Sequence, residues 1–338
     1  MPNPPLSERV DAPAELQSAA VAGLAWRPAT LDDVDHVFAL STAMSAADHP
    51  DWSEPREEIE ELLTLSFVDV AHDTLIGEAD GRVVAFGQAL PPFEPETIVR
   101  SVLLGGVHPE FRGRGIGRSL LGWLEGRGRQ QLAASGLTLP GWLMAYTQDH
   151  NPGGGRLFER AGFDTARYFA QLERTLDGDI PELELPTPLQ LVNASLELSA
   201  ATRDAKNAAF RDHWGSQPTP REAWDNFMAA STRRLDLSYL ALEGDEVVGL
   251  VVLDVNEDDW PRQGYSSSYI ALVGVVARWR RQGVAPALLA ASLVASRNAG
   301  LDRIALDVDS ENPTGALGLY TGMGFTTKDT SRAHVKAF

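Results

Sequence analysis

Hydrophobic and polar positions along this chain fall into a pattern that occurs twice. In the first half an apolar run starts at Thr74, breaks at Asp80-Gly81, and resumes through Val83-Val84-Ala85-Phe86 to Leu90. In the second, the run from Tyr239 breaks at Gly244-Asp245 and resumes through Val247-Val248-Gly249-Leu250 to Asp254. Apolar runs on either side of such turn residues predict β-hairpins. A further strand follows in each half, Val99–Val107 and Ser268–Val276. A glycine-containing turn and a helix come next, Arg118–Ala134 and Val284–Ala299. Another strand is expected over Gly141–Thr147 and over Arg303–Val308, where Ile304, Leu306 and Val308 alternate. Short helices ending in Ala161-Gly162-Phe163 and Met323-Gly324-Phe325 close the two halves. Helical material opens them, over Leu31–Leu65 and Leu189–Ala230. Helices, antiparallel strands, then a strand–helix–strand crossover predict an α/β fold with a mixed sheet in each half. The stretch Asp177–Pro188, rich in proline and acidic residues, reads as the linker between domains 1–180 and 181–338.

The length of 338 residues suits two domains, and 43% hydrophobic with 22% charged residues is ordinary for a globular protein. A net charge of −18 argues against nucleic-acid or anionic-membrane partners, which favour basic surfaces. It suits a cationic acceptor, and it also serves solubility alone. The absence of cysteine excludes disulfides, cysteine-based zinc sites and a cysteine nucleophile. Seven scattered histidines without a His-Glu-x-x-His run predict no metal. Residues 1–26 lack the basic start of a signal peptide, and no apolar run reaches membrane-spanning length. The expected location is the cytoplasm.

The chemistry is concentrated in two loops. Val107 is followed by His108-Pro109-Glu110-Phe111-Arg112-Gly113-Arg114-Gly115-Ile116-Gly117, and Val275 by Val276-Ala277-Arg278-Trp279-Arg280-Arg281-Gln282-Gly283-Val284-Ala285. Both contain Arg-x-x-Gly-x-Gly/Ala at the junction of strand and helix. Such a turn aims successive backbone N–H groups into one concavity, and the helix N-terminus adds partial positive charge. A pyrophosphate is the natural occupant, because small residues allow close backbone approach. A single glycine-rich turn is as readily a plain connection; two at equivalent positions are not.

Loop, crossover and the downstream Leu319-Tyr320-Thr321-Gly322-Met323-Gly324-Phe325 together resemble the GNAT acetyltransferase superfamily, and the resemblance covers nearly the whole chain as two copies. The tandem arrangement is similar to mycothiol synthase-like proteins. The resemblance implies acetyl-CoA as cosubstrate and direct attack by a primary amine of a small molecule or peptide. It implies that Val275, Val276, Arg280, Arg281, Gln282, Gly283, Val284, Ala285 and Asn312 contact CoA, as do Val107, Arg112, Gly113, Arg114, Gly115, Ile116 and Gly117. It casts Tyr320 as the acid that protonates the departing thiolate, and the widened strand end near Val275 as donor to the oxyanion.

The first half has Phe158 where Tyr320 stands, so it is expected to hold CoA without catalysing. The acceptor cleft is expected at Arg211-Asp212-His213-Trp214 and at Asp254-Val255-Asn256-Glu257-Asp258-Asp259, with His213 or Glu257 relaying the amine proton. The rival reading is an acyl-CoA-binding sensor without activity.

Overall fold

The computed structural model describes residues 3–17, 19–49, 51–311 and 315–338. Its chain divides into two compact units, residues 1–167 with 331–338, and residues 168–330. In the first unit, the strands are β1 (Ala25–Arg27), β2 (Thr74–Ala79), β3 (Arg82–Leu90), β4 (Val99–Val107) and β5 (Gly141–Gln148). Two long strands, β6 (Asp164–Thr175) and β12 (Thr326–Ala337), run past the boundaries of both units. Between them lie β7 (Gln190–Asn193), β8 (Tyr239–Glu243), β9 (Glu246–Asp254), β10 (Ser267–Val275) and β11 (Arg303–Asp309).

The first unit's sheet runs β1-β2-β3-β4-β5-β12, with Ser331–Ala337 antiparallel to β5. The second runs β6-β11-β10-β9-β8-β7, with Phe169–Thr175 antiparallel to β11. Each unit therefore takes its last strand from the end of the other half's sequence. The boundary falls at 167/168 rather than at 180/181, and residues 331–338 lie in the first unit. Both hairpins form as expected, the first closing on Asp80 and Gly81 with φ of 50° and 76°. The opening segments differ in part from the helical expectation: Gln190–Asn193 is a strand, and helices cover only Ser199–Ala209 and Arg221–Ala229.

A long helix carries the crossover over each sheet, Ile116–Ala134 and Val284–Asn298. Each buries a stripe of apolar residues, Ile116, Leu120, Leu124 and Leu132 in the first, Val284, Leu288 and Leu293 in the second. The fit over β9 is close: a Cβ on Gly249 would stand 2.9 Å from Val284 and 3.0 Å from Leu288. This packing fixes the start of the helix, and so the phosphate loop, against the sheet.

Candidate active site

The parallel strands that flank each crossover separate. β4 and β5 pair only from Val99↔Gly141 to Val102↔Met144, yet β4 stays paired with β3 to Val107 and β5 with β12 to Gln148. β10 and β11 pair only from Ser267↔Arg303 to Tyr269↔Ala305, while their outer neighbours hold them to Val275 and Asp309. A wedge opens at the carboxyl ends of the strands, where ligands of open α/β sheets bind. A register shift between Ile270 and Leu272 adds to the divergence in β10.

The loops at the mouth of each wedge share one backbone course. Arg112 and Arg280 are extended, with φ,ψ of −65°, 160° and −66°, 150°. The next residues, Gly113 and Arg281, are left-handed with φ of 77° and 60°, and so are Gly115 and Gly283 at 85° and 83°. Gly115 and Gly283 cap their helices without a side-chain hydrogen bond, and the first N–H groups of a helix have no partner within it. A Cβ built on Gly113, Gly115 or Gly283 meets nothing within 4 Å, so the concavity is open. A diphosphate fits this cradle of backbone donors at a helix start.

The first arginine of each Arg-x-x-Gly run has another task. Arg112 donates to the Val107 carbonyl at 3.0 Å and forms a bidentate pair with Asp48 at 2.6 and 2.8 Å. Arg280 donates to the Val275 carbonyl at 3.2 Å, to Asp212 at 3.1 Å and to the Ala209 carbonyl at 2.9 Å. Both guanidinium groups fasten the loop to the strand end and to the preceding helix. The exposed cations beside the cradle are Arg114 and Arg118 in the first unit and Arg281 in the second. Val107, Val275 and Val276 form the strand ends; Ile116 and Val284 turn into the core, while Gly117, Ala285 and Gln282 complete the turns. Asn312 lies outside the described residues.

Tyr320 sits in the short helix Ala316–Gly322 that follows β11, 8% exposed and edge-on to Phe325. Burial pushes its hydroxyl up to about 12, and no described group accepts a hydrogen bond from it. Phe158 holds the matching place after β5, edge-on to Phe163 and stacked on His334 at 5.0 Å between centroids. Tyr320 and Phe158 thus occupy corresponding places in the two units.

The family pattern described as "Acetyltransferase (GNAT) family" matches residues 39–163 and 200–325. The chain belongs to the GNAT acetyltransferase family. As a GNAT enzyme it is an acetyl-CoA-dependent N-acetyltransferase, moving an acyl group from CoA to an amine. A mycothiol acetyltransferase of Thermobispora bispora is 28% identical over 88% of this chain and 94% of its own. One from Salinispora arenicola is 30% identical over 87% and 91%. The fold is shared with a GCN5-related N-acetyltransferase from Sphaerobacter thermophilus, with a TM-score of 0.68, 24% identity and coverage of 94% and 97%. A tandem GNAT protein of the clavulanic acid biosynthesis pathway aligns with a TM-score of 0.66 and 15% identity over 93% and 98%.

The acceptor side of this GNAT chain is arranged differently from the sequence expectation. Glu257 and Asp258 are exposed on a short 3-10 turn, and Glu257 has Arg234 as a charged neighbour. Asp259 is buried in a pair with Arg262 at 3.1 Å. His213 is half-buried against Phe210; burial lowers its pKa, and Asp309 acts in the opposite direction. Arg211 and Asp212 border an open groove of about 910 Å³ with Asp204, Glu246 and Arg278, on the outer side of the loop. Val276, just past the end of β10, also lines that groove, whereas Tyr320 does not.

Sequence reasoning placed Asp254 on the acceptor side but missed Tyr269 and Asp307. Tyr269 is paired with Asp254 across β9 and β10, and its hydroxyl donates to the Asp307 carboxylate on β11 at 2.8 Å. Asp254 faces Arg233 at 2.7 Å, and burial raises its pKa against that pairing. The signal was present: the alternation that points Ile304, Leu306 and Val308 inward also turns Asp307 and Asp309 to the opposite face.

No helix among the described residues is long and apolar enough to cross a membrane.

Proposed function

We propose that the C-terminal unit transfers an acetyl group from acetyl-CoA to a primary amine, and that the N-terminal unit holds CoA without turnover. The observation that carries the assignment is Tyr320, a buried ring whose hydroxyl has no acceptor among the described residues, on the helix that follows β11 beyond a wedge that leads to a diphosphate cradle. The pyrophosphate of CoA would rest on the backbone of Gln282 to Ala285, with its thioester in the wedge. The amine lone pair forms the N–C bond, the C–S pair leaves on sulfur, and the Tyr320 hydroxyl donates to it. A thiolate of pKa about 8.5 is a weaker base than this phenolate, so Tyr320 acts first as a hydrogen-bond donor. Full proton transfer to sulfur is coupled to proton loss from nitrogen. Most of the rate arises from holding amine and thioester together and from N–H donors on β10.

The acceptor class is a cationic small amine or peptide terminus. Asp307 and Asp309 project from β11 on one face, and the overall charge of −18 favours encounter with cations. Relatives named mycothiol acetyltransferase are the reason to include mycothiol-related amines in an acceptor panel. The test follows thiol release from acetyl-CoA against amines of different charge. Acetylated product with cationic amines, and a KM that rises with ionic strength, are expected. CoA binding without product from any amine would leave the sensor reading instead.

A further inference from the structure

We infer that Tyr269 and Asp307 form the proton-accepting side of the acceptor site, with Asp307 taking a proton from the incoming ammonium and Tyr269 holding that carboxylate in place. The inference rests on acyl transfer by the C-terminal unit. The geometry that points to it is the position of the pair. Tyr269↔Ala305 is the last register pair before β10 and β11 part, and Asp307 lies two residues on, on the same face. The 2.8 Å hydrogen bond thus spans the throat of the wedge, where a nucleophile must approach a thioester lying between the strands.

The surroundings suit the task. Burial and the Asp307 charge hold the Tyr269 phenol protonated far into alkali, so it remains a donor. Asp307 is exposed and reachable by an amine, whereas Asp254 on β9 is half-buried and committed to Arg233. Helix Ser199–Ala209, packed over the same strands, leads to His213, which stands near Asp309 further along β11. Glu257, on its exposed turn, has no place in this arrangement.

The protons balance. The ammonium sheds two: one passes to Asp307 and on to solvent, and the second restores the Tyr320 hydroxyl that has protonated the sulfur. The products are the amide, free CoA thiol and one proton released.

The experiment compares two kinds of acceptor in full-length protein at saturating acetyl-CoA. One is the primary alkylamine of a panel that the wild type acetylates fastest; the other is methoxyamine, which is already neutral at pH 7. Asp307→Asn should lower kcat/KM for the alkylamine about 10²-fold, while methoxyamine changes by less than about threefold. Tyr269→Phe should reproduce the same selectivity to a smaller degree. Acetyl-CoA affinity by calorimetry should be unchanged in both. Equal losses with the two acceptors would mean a structural role and overturn the pair's assignment, as would no loss at all. A wild type that acetylates neither methoxyamine nor any amine of the panel would contradict acyl transfer itself, and the pair's role with it.

Discussion

A hydroxyl separates the two halves of this chain. Tyr320 and Phe158 share a helix position, a following Gly-Phe and an aromatic edge contact, so the oxygen is the chemical difference between the rings. Tyr320→Phe should lower turnover about 10²-fold with acetyl-CoA affinity unchanged, because the ring still packs and only the donor is lost. Single-turnover kinetics beside calorimetry would separate the two effects, and unaltered turnover would remove Tyr320 from the chemistry. Its hydroxyl, pushed up to about 12, should impose no alkaline loss of rate below about pH 11. At the loop, Arg281 holds φ of 60° where the other unit has Gly113. A non-glycine residue costs about 1 kcal/mol in that conformation. Arg281→Gly should therefore stabilise the protein by about that amount in urea unfolding, and a destabilised variant would show that the side chain contributes more than the strain removes.

At the scale of elements, the crossover helix sets where the cradle lies. Gly249 lets Val284 and Leu288 approach β9 closely, so Gly249→Val should force the helix outward. The cost expected from overpacking is about 1–3 kcal/mol, with weaker CoA binding because the N–H groups move with the helix. Unchanged stability and affinity would mean that the helix yields freely. The elements around this helix were legible in the sequence. Hairpin, strand, turn, helix and strand follow the periods of 2 and 3.6, and the Asp-Gly signal named the first turn. The long strands β6 and β12 were not. Asp164–Thr175 and Thr326–Ala337 carry only short, weak alternations of apolar residues, Ala166, Tyr168, Ala170 and Leu172 in one and Ala333, Val335 and Ala337 in the other, among arginine, lysine and threonine. The phosphate loops could be read from Arg-x-x-Gly, although the arginine proved to fasten the loop through Asp48 or Asp212. The acceptor side was not legible, because it depends on Tyr269 meeting Asp307 across strands 38 residues apart in sequence.

For the whole molecule, the division into units does not follow the chain. Residues 331–338 complete the first unit, with Ser331–Ala337 covering β5 and Phe338 bonded through its backbone to Gly141. A fragment of residues 1–180 lacks that strand and leaves the β5 edge open, a ready template for aggregation. It should be insoluble or unfolded by circular dichroism when made alone; a stable, monomeric fragment with protected β5 amides would contradict the exchange of strands.

The central claim assigns turnover to one unit, and matched lesions in the two cradles test it most directly. Gly115 and Gly283 have the same left-handed conformation and the same open space around a Cβ. A glutamate at either place sets a negative side chain against a pyrophosphate. The measurement is the rate of acetyl transfer to the best amine of the panel. Gly283→Glu is predicted to abolish it, and Gly115→Glu to leave the chemical step largely intact. Loss of transfer in Gly115→Glu together with its survival in Gly283→Glu would contradict the account and reverse the roles of the two units.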